Sequence, residues 1–168
     1  MKGEHHCPGS LLAKMYMQEV FPSIKSAIMQ DAEAVWVIRY HPQVSKESLN
    51  ITKVSLDEHI KWFKKKYINS PQNYCFVLKK IDRVIGYARF DIQENKELLL
   101  SMAIHPEYQR KGYGSFMIQQ SLSKLPQRSV ITAEVKKDNL VSKKILTKYG
   151  FIYFGESGDV INLKKNYD

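Results

Sequence analysis

Cysteine is scarce: Cys7 and Cys75 are the only two in 168 residues. Two thiols do not make a disulfide framework, so a reducing, cytoplasmic setting is expected. Long apolar runs are missing too. Nothing approaches the roughly 18 apolar residues of a membrane span, and no apolar stretch joins Lys2 to Lys14, so neither a membrane partner nor a secretory signal is expected. Repeats and low-complexity segments are absent. His5, His6 and Cys7 are adjacent, but a structural metal needs a second ligand pair at a set distance, and none follows; no metal is expected. Acidic residues are in deficit, 17 Asp and Glu against 26 Lys and Arg, leaving a formal charge of +9. That excess predicts an anionic partner: nucleic acid, acidic lipid or a phosphate-bearing small molecule.

What is present describes one domain with one substantial core. Residues 1–20 read as a terminal arm and residues 21–168 as the domain. Phe21 to Met29 has strand character, and Asp31 stands where a helix cap would precede Ala32, Val35, Trp36 and Arg39. Tyr40 to Val54, with Pro42 and several polar residues, reads as loop with room for a helical turn. Ser55 and Glu58 form a capping box. Leu56, Ile60, Phe63 and Tyr67 then recur at helical spacing, with Lys61, Lys64, Lys65 and Lys66 as a solvated basic face. Tyr74–Lys80 and Val84–Asp91 flank a hairpin connection, and Leu98–His105 is apolar on both faces, as a covered central strand should be. A helix over Gly112–Leu125, a strand over Val130–Val135, a helix over Asn139–Tyr149 and a closing hairpin from Phe151 to Leu163 complete an α/β (α+β) pattern around a mixed sheet.

The segment from Ile104 to Ser115 carries the chemistry. A buried strand stops at Pro106, a loop ends in Gly112-Tyr113-Gly114, and a helix begins at once. The first amides of a helix have no intrahelical partner, and with the helix dipole they form an anion site. Glycine keeps side chains out of the anion's way, and Arg110 and Lys111 add charge. A phosphate or pyrophosphate is the expected ligand. A Walker loop would place the lysine after the glycines, and a Rossmann fingerprint would need a third glycine, so neither fits.

Gln109-Arg110-Lys111-Gly112-Tyr113-Gly114 resembles the Gln/Arg-x-x-Gly-x-Gly/Ala loop of the GNAT acyltransferases. Ile104-His105-Pro106 resembles that family's strand end, and Asn139, Ser142 and Gly150-Phe151 its later helix and Gly-Phe step; the likeness spans roughly Ser23 to Leu163. It implies a mostly antiparallel sheet of about seven strands flanked by about four helices, and transfer of acetyl from acetyl-CoA to a primary amine by direct attack. It further implies that the backbone of Met102, Ala103 and Ile104 pairs with pantetheine and supplies an oxyanion donor. The amides of Gln109, Arg110, Lys111, Gly112, Tyr113, Gly114 and Ser115 would hold the pyrophosphate. Asn139 and Ser142 would contact the pantetheine or adenosine end, with Lys143 or Lys144 near phosphate, and Asn139 equally fits a helix N-cap. Many members carry a tyrosine acid four residues before the Gly-Phe step, where this chain has Leu146. Tyr149 is the substitute candidate for the acid and Glu134 the candidate base, with Glu97 and His105 behind it. Trp36 to Pro42, Asn50, and the Ser-x-x-Glu-His-x-x-Trp run from Ser55 to Trp62 resemble the subgroup acting on nucleotide-linked amino sugars. Arg39, His59 and Trp62 would then line or support the acceptor cleft. Acetylation of a protein N-terminus (ribosomal type) or of a polyamine is the alternative. A non-catalytic CoA-binding module or a nucleic-acid-binding module is the alternative of another class, but the dispersed lysines do not form a nucleic-acid motif. The expected partner is a small-molecule amine, with the protein a monomer or homodimer.

Overall fold

A computed structural model describes residues 21–49 and 52–167; the 1–20 arm with His5, His6 and Cys7, and Asn50, lie outside them. In chain order the elements are β1 (Ser23–Ser26), a 3-10 turn (Met29–Asp31), α1 (Ala32–Arg39), α2 (Pro42–Ser45), α3 (Leu56–Phe63), a π-helical turn (Lys64–Ile68), β2 (Tyr74–Lys80), β3 (Arg83–Ile92) and β4 (Leu98–Ile104). A 3-10 turn (Pro106–Tyr108), α4 (Tyr113–Leu122), β5 (Ser129–Lys136), α5 (Leu140–Lys148), β6 (Ile152–Ser157) and β7 (Val160–Tyr167) follow. The seven strands form one sheet in the order β1-β2-β3-β4-β5-β7-β6. Every neighbouring pair is antiparallel except β4 and β5. This is the mixed, mostly antiparallel α/β fold expected, with five α-helices among the described residues where about four were expected.

Each face of the sheet buries its own apolar layer. On one face Met117, Ile118 and Leu122 of α4, Leu146 of α5 and Phe151 pack on Leu98, Leu100, Ile104, Ile131, Ala133 and Val135. On the other, Ala32, Val35 and Ile38 of α1 and Phe63 of α3 pack on Cys75, Val77 and Tyr87. Full burial of a side chain such as Phe63 or Phe90 contributes about 1.5–3 kcal/mol. Among the described residues no helix is long and apolar enough to cross a membrane.

Several local expectations are corrected. The first strand covers only Ser23–Ser26, because the chain turns at Met29–Asp31. Asp31 occupies the N-cap position of α1 without capping it; its carboxylate instead accepts from the Ile28 amide (3.0 Å) and pairs with Lys79 (2.6 Å). The helical turn allowed for in the 40–54 stretch is α2, whose Pro42 sits at the first turn and whose N-cap, His41, accepts from the Gln43 amide through Nδ1 (3.3 Å). The capping box forms as read: Ser55 Oγ accepts from the Glu58 amide (3.3 Å), and Glu58 accepts from the Ser55 amide (2.9 Å). The regular helix stops at Phe63, where the π-helical turn begins. Lys66 therefore does not join the solvated basic face; its ammonium lies 3.0 Å from Asp91.

Candidate functional site

The sheet is split where the parallel pair meets. β4 bonds to β3 along its whole length, from Leu98 opposite Ile92 to Ile104 opposite Gly86. It bonds to β5 only from Leu98 opposite Ile131 to Leu100 opposite Ala133. Beyond that point β5 continues with β7 as far as Lys136 opposite Val160. Ser101, Met102, Ala103 and Ile104 thus present one unpaired strand edge to the gap. A strand edge inside a fold offers its amides and carbonyls to an extended ligand.

The loop after β4 supplies the second feature. His105 Nδ1 accepts from the Glu107 amide (3.4 Å) and starts the 3-10 turn. Gln109 donates its side-chain amide to the Ile104 carbonyl (3.0 Å), tying the loop to the strand end. Arg110 and Gly112 then both take left-handed backbone conformations, with φ of 61° and 80°. The first helical bond of α4 runs from the Phe116 amide to the Gly112 carbonyl (3.0 Å). Among the described residues, no protein group accepts from the amides of Arg110 to Ser115. A run of free amides in this geometry at a helix N-terminus favours an anion.

Within the fold the two glycines serve different ends, beside the role expected of them toward an anion. A Cβ at Gly112 would meet nothing within 4 Å; its positive φ is what asks for glycine. A Cβ at Gly114 would lie 3.2 Å from Ile145 Cδ1, so this glycine allows α4 and α5 to approach. Lys111 is tied to its own loop, donating to the Glu107 carbonyl (3.0 Å) and lying 5.5 Å from the Tyr108 ring centre. Arg110 is exposed, with no carboxylate partner among the described residues. At the start of α5, Asn139 is the N-cap, its Oδ1 accepting from the Ser142 amide (3.0 Å). Lys143 on the same first turn is half-buried.

On the opposite face, the end of α1 and α2 spans the gap. His41 meets His105 at the end of β4, ring centres 5.5 Å apart. The Lys46 carbonyl accepts from Lys136 at the end of β5 (2.6 Å). Burial holds His105 below the ordinary histidine range, and Arg83 and His41 push in the same direction against Glu107. Glu134 is exposed on this face, the turn of the strand away from Ala133 and Val135. With Glu94, Glu97, Leu99, Phe154 and Asn162 it lines a cavity of about 540 Å³. Glu97 is held in an ion pair with Lys164. Tyr149 lies elsewhere: it ends α5 and packs against the core of the α4–α5 face. Glu134 and Tyr149 are therefore not brought together. Leu146 is a buried core residue, 4% exposed.

Arg39, His59 and Trp62, 23 residues apart at the extremes, do converge. The Arg39 guanidinium lies 5.9 Å from the Trp62 ring centre, and the His59 ring lies 5.2 Å from it. His59 supports rather than lines the cleft, being 1% exposed with Nε2 unpartnered. Burial first, then Arg39, lowers its pKa to about 4. A buried network that the sequence reading missed adjoins them. Tyr67 donates to Asp91 (2.6 Å), Arg89 donates to the Tyr67 hydroxyl (3.4 Å), and Arg89 lies 5.3 Å from the Trp62 ring centre. Arg89 and Asp91, two charges on one face of the 84–92 run, were the available signal.

Comparison with known proteins follows the same lines. The sequence model of the Acetyltransferase (GNAT) family matches residues 30–151. No curated protein sequence matches the chain. Among solved structures, yncA of Salmonella typhimurium, with its cofactor acetyl-CoA, has a TM-score of 0.74 at 20% identity, covering 88% of this chain and 95% of that one. The spermidine N-acetyltransferase of Vibrio cholerae, in complex with CoA and spermine, has a TM-score of 0.75 at 18% identity, covering 87% and 95%. The ribosomal-protein-alanine N-acetyltransferase of Brucella melitensis has a TM-score of 0.73 at 19% identity, covering 86% and 99%. These identities express a shared fold. By the family match, the chain belongs to the GNAT acetyltransferases.

Proposed function

From that membership we propose that residues 21–168 form one N-acetyltransferase domain using acetyl-CoA as co-substrate and acting on the primary amine of a nucleotide-linked amino sugar. The observation that carries the coenzyme assignment is the run of unpartnered amides from Arg110 to Ser115, beside the free edge of β4. Those amides suit a diphosphate, and the edge from Met102 to Ile104 suits an extended amide-bearing arm. Asn139, Ser142 and Lys143 stand at the next helix start as further contacts. The coenzyme supplies a thioester-activated acetyl group. The chain's residues orient it, exclude water and handle a proton. A β4 amide donates to the carbonyl oxygen as charge develops there. Glu134 accepts the amine proton, directly or through water. Leu146 offers no acid, and none is required: a free thiol has a pKa near about 8.5, so thiolate leaves without full protonation.

The acceptor assignment is supported by the convergence of Arg39, His59 and Trp62 under the capping-box helix. A polyamine is the second reading, favoured by Glu94, Glu97 and Glu134 around one cavity. The test is a thiol-release assay with acetyl-CoA over nucleotide-linked amino sugars, free amino sugars, polyamines and N-terminal peptides. Gly112→Glu puts a carboxylate among the free amides; coenzyme affinity should vanish while the circular dichroism spectrum is retained. Unchanged affinity in this variant would remove the diphosphate assignment, and tight coenzyme binding with no turnover of any amine would make the domain a non-catalytic binder.

A further inference from the structure

Three cations surround one indole beneath α3. The Arg39, Lys66 and Arg89 head groups lie 5.9, 5.6 and 5.3 Å from the Trp62 ring centre. One carboxylate answers them: Asp91, 3.0 Å from Lys66 and 4.0 Å from Arg89. Asp31, at the start of α1, is already taken by Lys79 (2.6 Å). Arg39 pairs with no carboxylate among the described residues. Arg89 is 7% exposed, and its Nε has no hydrogen-bond partner. Asp91 is shared between Lys66 and the buried Arg89, and half-buried Arg39 has no counter-charge among the described residues, so an anion joining the cluster beside Arg39 is favoured. Arginine forks and an indole face suit planar carboxylate and phosphate oxygens.

The register relates this cluster to the reaction centre. Arg89 is the cross-strand neighbour of Ser101, the first residue of β4 past its bonds to β5. Since Leu99 faces Thr132 and Leu100 faces Ala133, Glu134 is level with Ser101 on the far side of the gap. Arg89 and Glu134 thus face the same side of the sheet at one level, with β4 and the gap between them, so they stand farther apart than the roughly 10 Å of two paired-strand spacings. A carboxylate for an amine and cations for an anion stand on opposite sides of that gap.

We propose that Arg39, Arg89 and Lys66, gathered around Trp62, bind an anionic group of the acceptor, so that the enzyme selects a primary amine carrying a phosphate or carboxylate at a distance from the amino group. The proposal rests on the acetyltransferase reading for its role in catalysis, and the nitrogen end of the acceptor is the end that faces Glu134. It makes the polyamine reading unfavourable, since a second ammonium would meet Arg39 and Arg89.

The test has two arms. In thiol release, each anionic amine is paired with its neutral counterpart: a nucleotide-linked amino sugar against the free sugar, and 6-aminohexanoate against its amide. The first pair reports phosphate and the second carboxylate. Arg39→Gln, at a half-buried position away from the apolar core, should raise KM for the preferred anionic amine about ten-fold, the effect of one charge-assisted hydrogen bond, with the coenzyme Kd unchanged. Arg39→Lys, which keeps the charge, should lose less than Arg39→Gln, as a bare change of packing would not. In the second arm, Trp62 fluorescence is followed in a Trp36→Phe chain saturated with CoA and titrated with uridine diphosphate or hexanoate. A saturable change that weakens with salt and is lost in Arg39→Gln supports the anion site even if no amine turns over, in which case the acetyltransferase reading fails alone. Equal preference for neutral amines, or fluorescence indifferent to both anions, would overturn the proposal.

Discussion

Replacing His59 with Phe should remove an acid-labile element of stability. His59 is 1% exposed, and its ring lies against Trp62 and Phe63. Burial, with Arg39 and then Arg89 adding like charge against a weaker backbone bond to Ala32, sets its pKa near about 4, below the ordinary 6.5. A depressed histidine stays neutral in the fold while the unfolded chain takes up a proton. Its contribution is thus complete above pH 6.5 and is lost as pH falls toward 4. Each pH unit inside that window costs ~1.4 kcal/mol, so by pH 4.5 the loss attributable to His59 is about 2.5 kcal/mol. Carboxylates titrate in the same range, and subtracting the variant's stability from that of the parent cancels them. Urea unfolding of both chains between pH 7.5 and 4.5 measures the difference. Phe keeps the ring contacts with Trp62 and Phe63 and abolishes the proton, so the difference should change by ~2.5 kcal/mol across the range. A difference flat to within ~0.5 kcal/mol would show that His59 titrates freely and that the packing of α3 over α1 is looser than described.

Two further outcomes follow from packing. Gly114→Val would press its Cβ on Ile145 Cδ1, 3.2 Å away, and should cost about 1–3 kcal/mol by thermal unfolding. Gly112→Ala, in open space at a φ of 80°, should cost about 1 kcal/mol; equal costs would contradict the division of roles between the two glycines. Burial pushes the Cys75 thiol up to about 12. In a Cys7→Ser chain, a thiol reagent at pH 8 should label Cys75 only as fast as the protein unfolds, and rapid native-state labelling would refute its burial.

Much of the geometry of the candidate coenzyme site was legible because its determinants are local. The free amides between Arg110 and Ser115, the Asn139 cap and the Ser55–Glu58 box each arise within a few residues, from helix starts that have no intrahelical acceptors to offer. Glu134's outward face follows from strand alternation against Ala133 and Val135. Arg89 and Asp91, by contrast, drew no reading beyond the strand that holds them, and Lys66 looked solvated. Their meaning depends on the π-helical turn that brings Lys66 and Tyr67 to Asp91, and no periodicity announces that turn.

The sequence alone was enough for most of the elements, the helix start with unpartnered amides after β4 and the family, because capping, alternation and turn chemistry act over three or four neighbours. Only the tertiary structure decided where β4 leaves β5, which side of the gap Glu134 faces, that Tyr149 lies away from it, and that three cations share one indole. Those are relations between residues tens of positions apart, fixed by strand register and by helices packing on opposite faces of the sheet, and pairing over such distances leaves no trace in any local window.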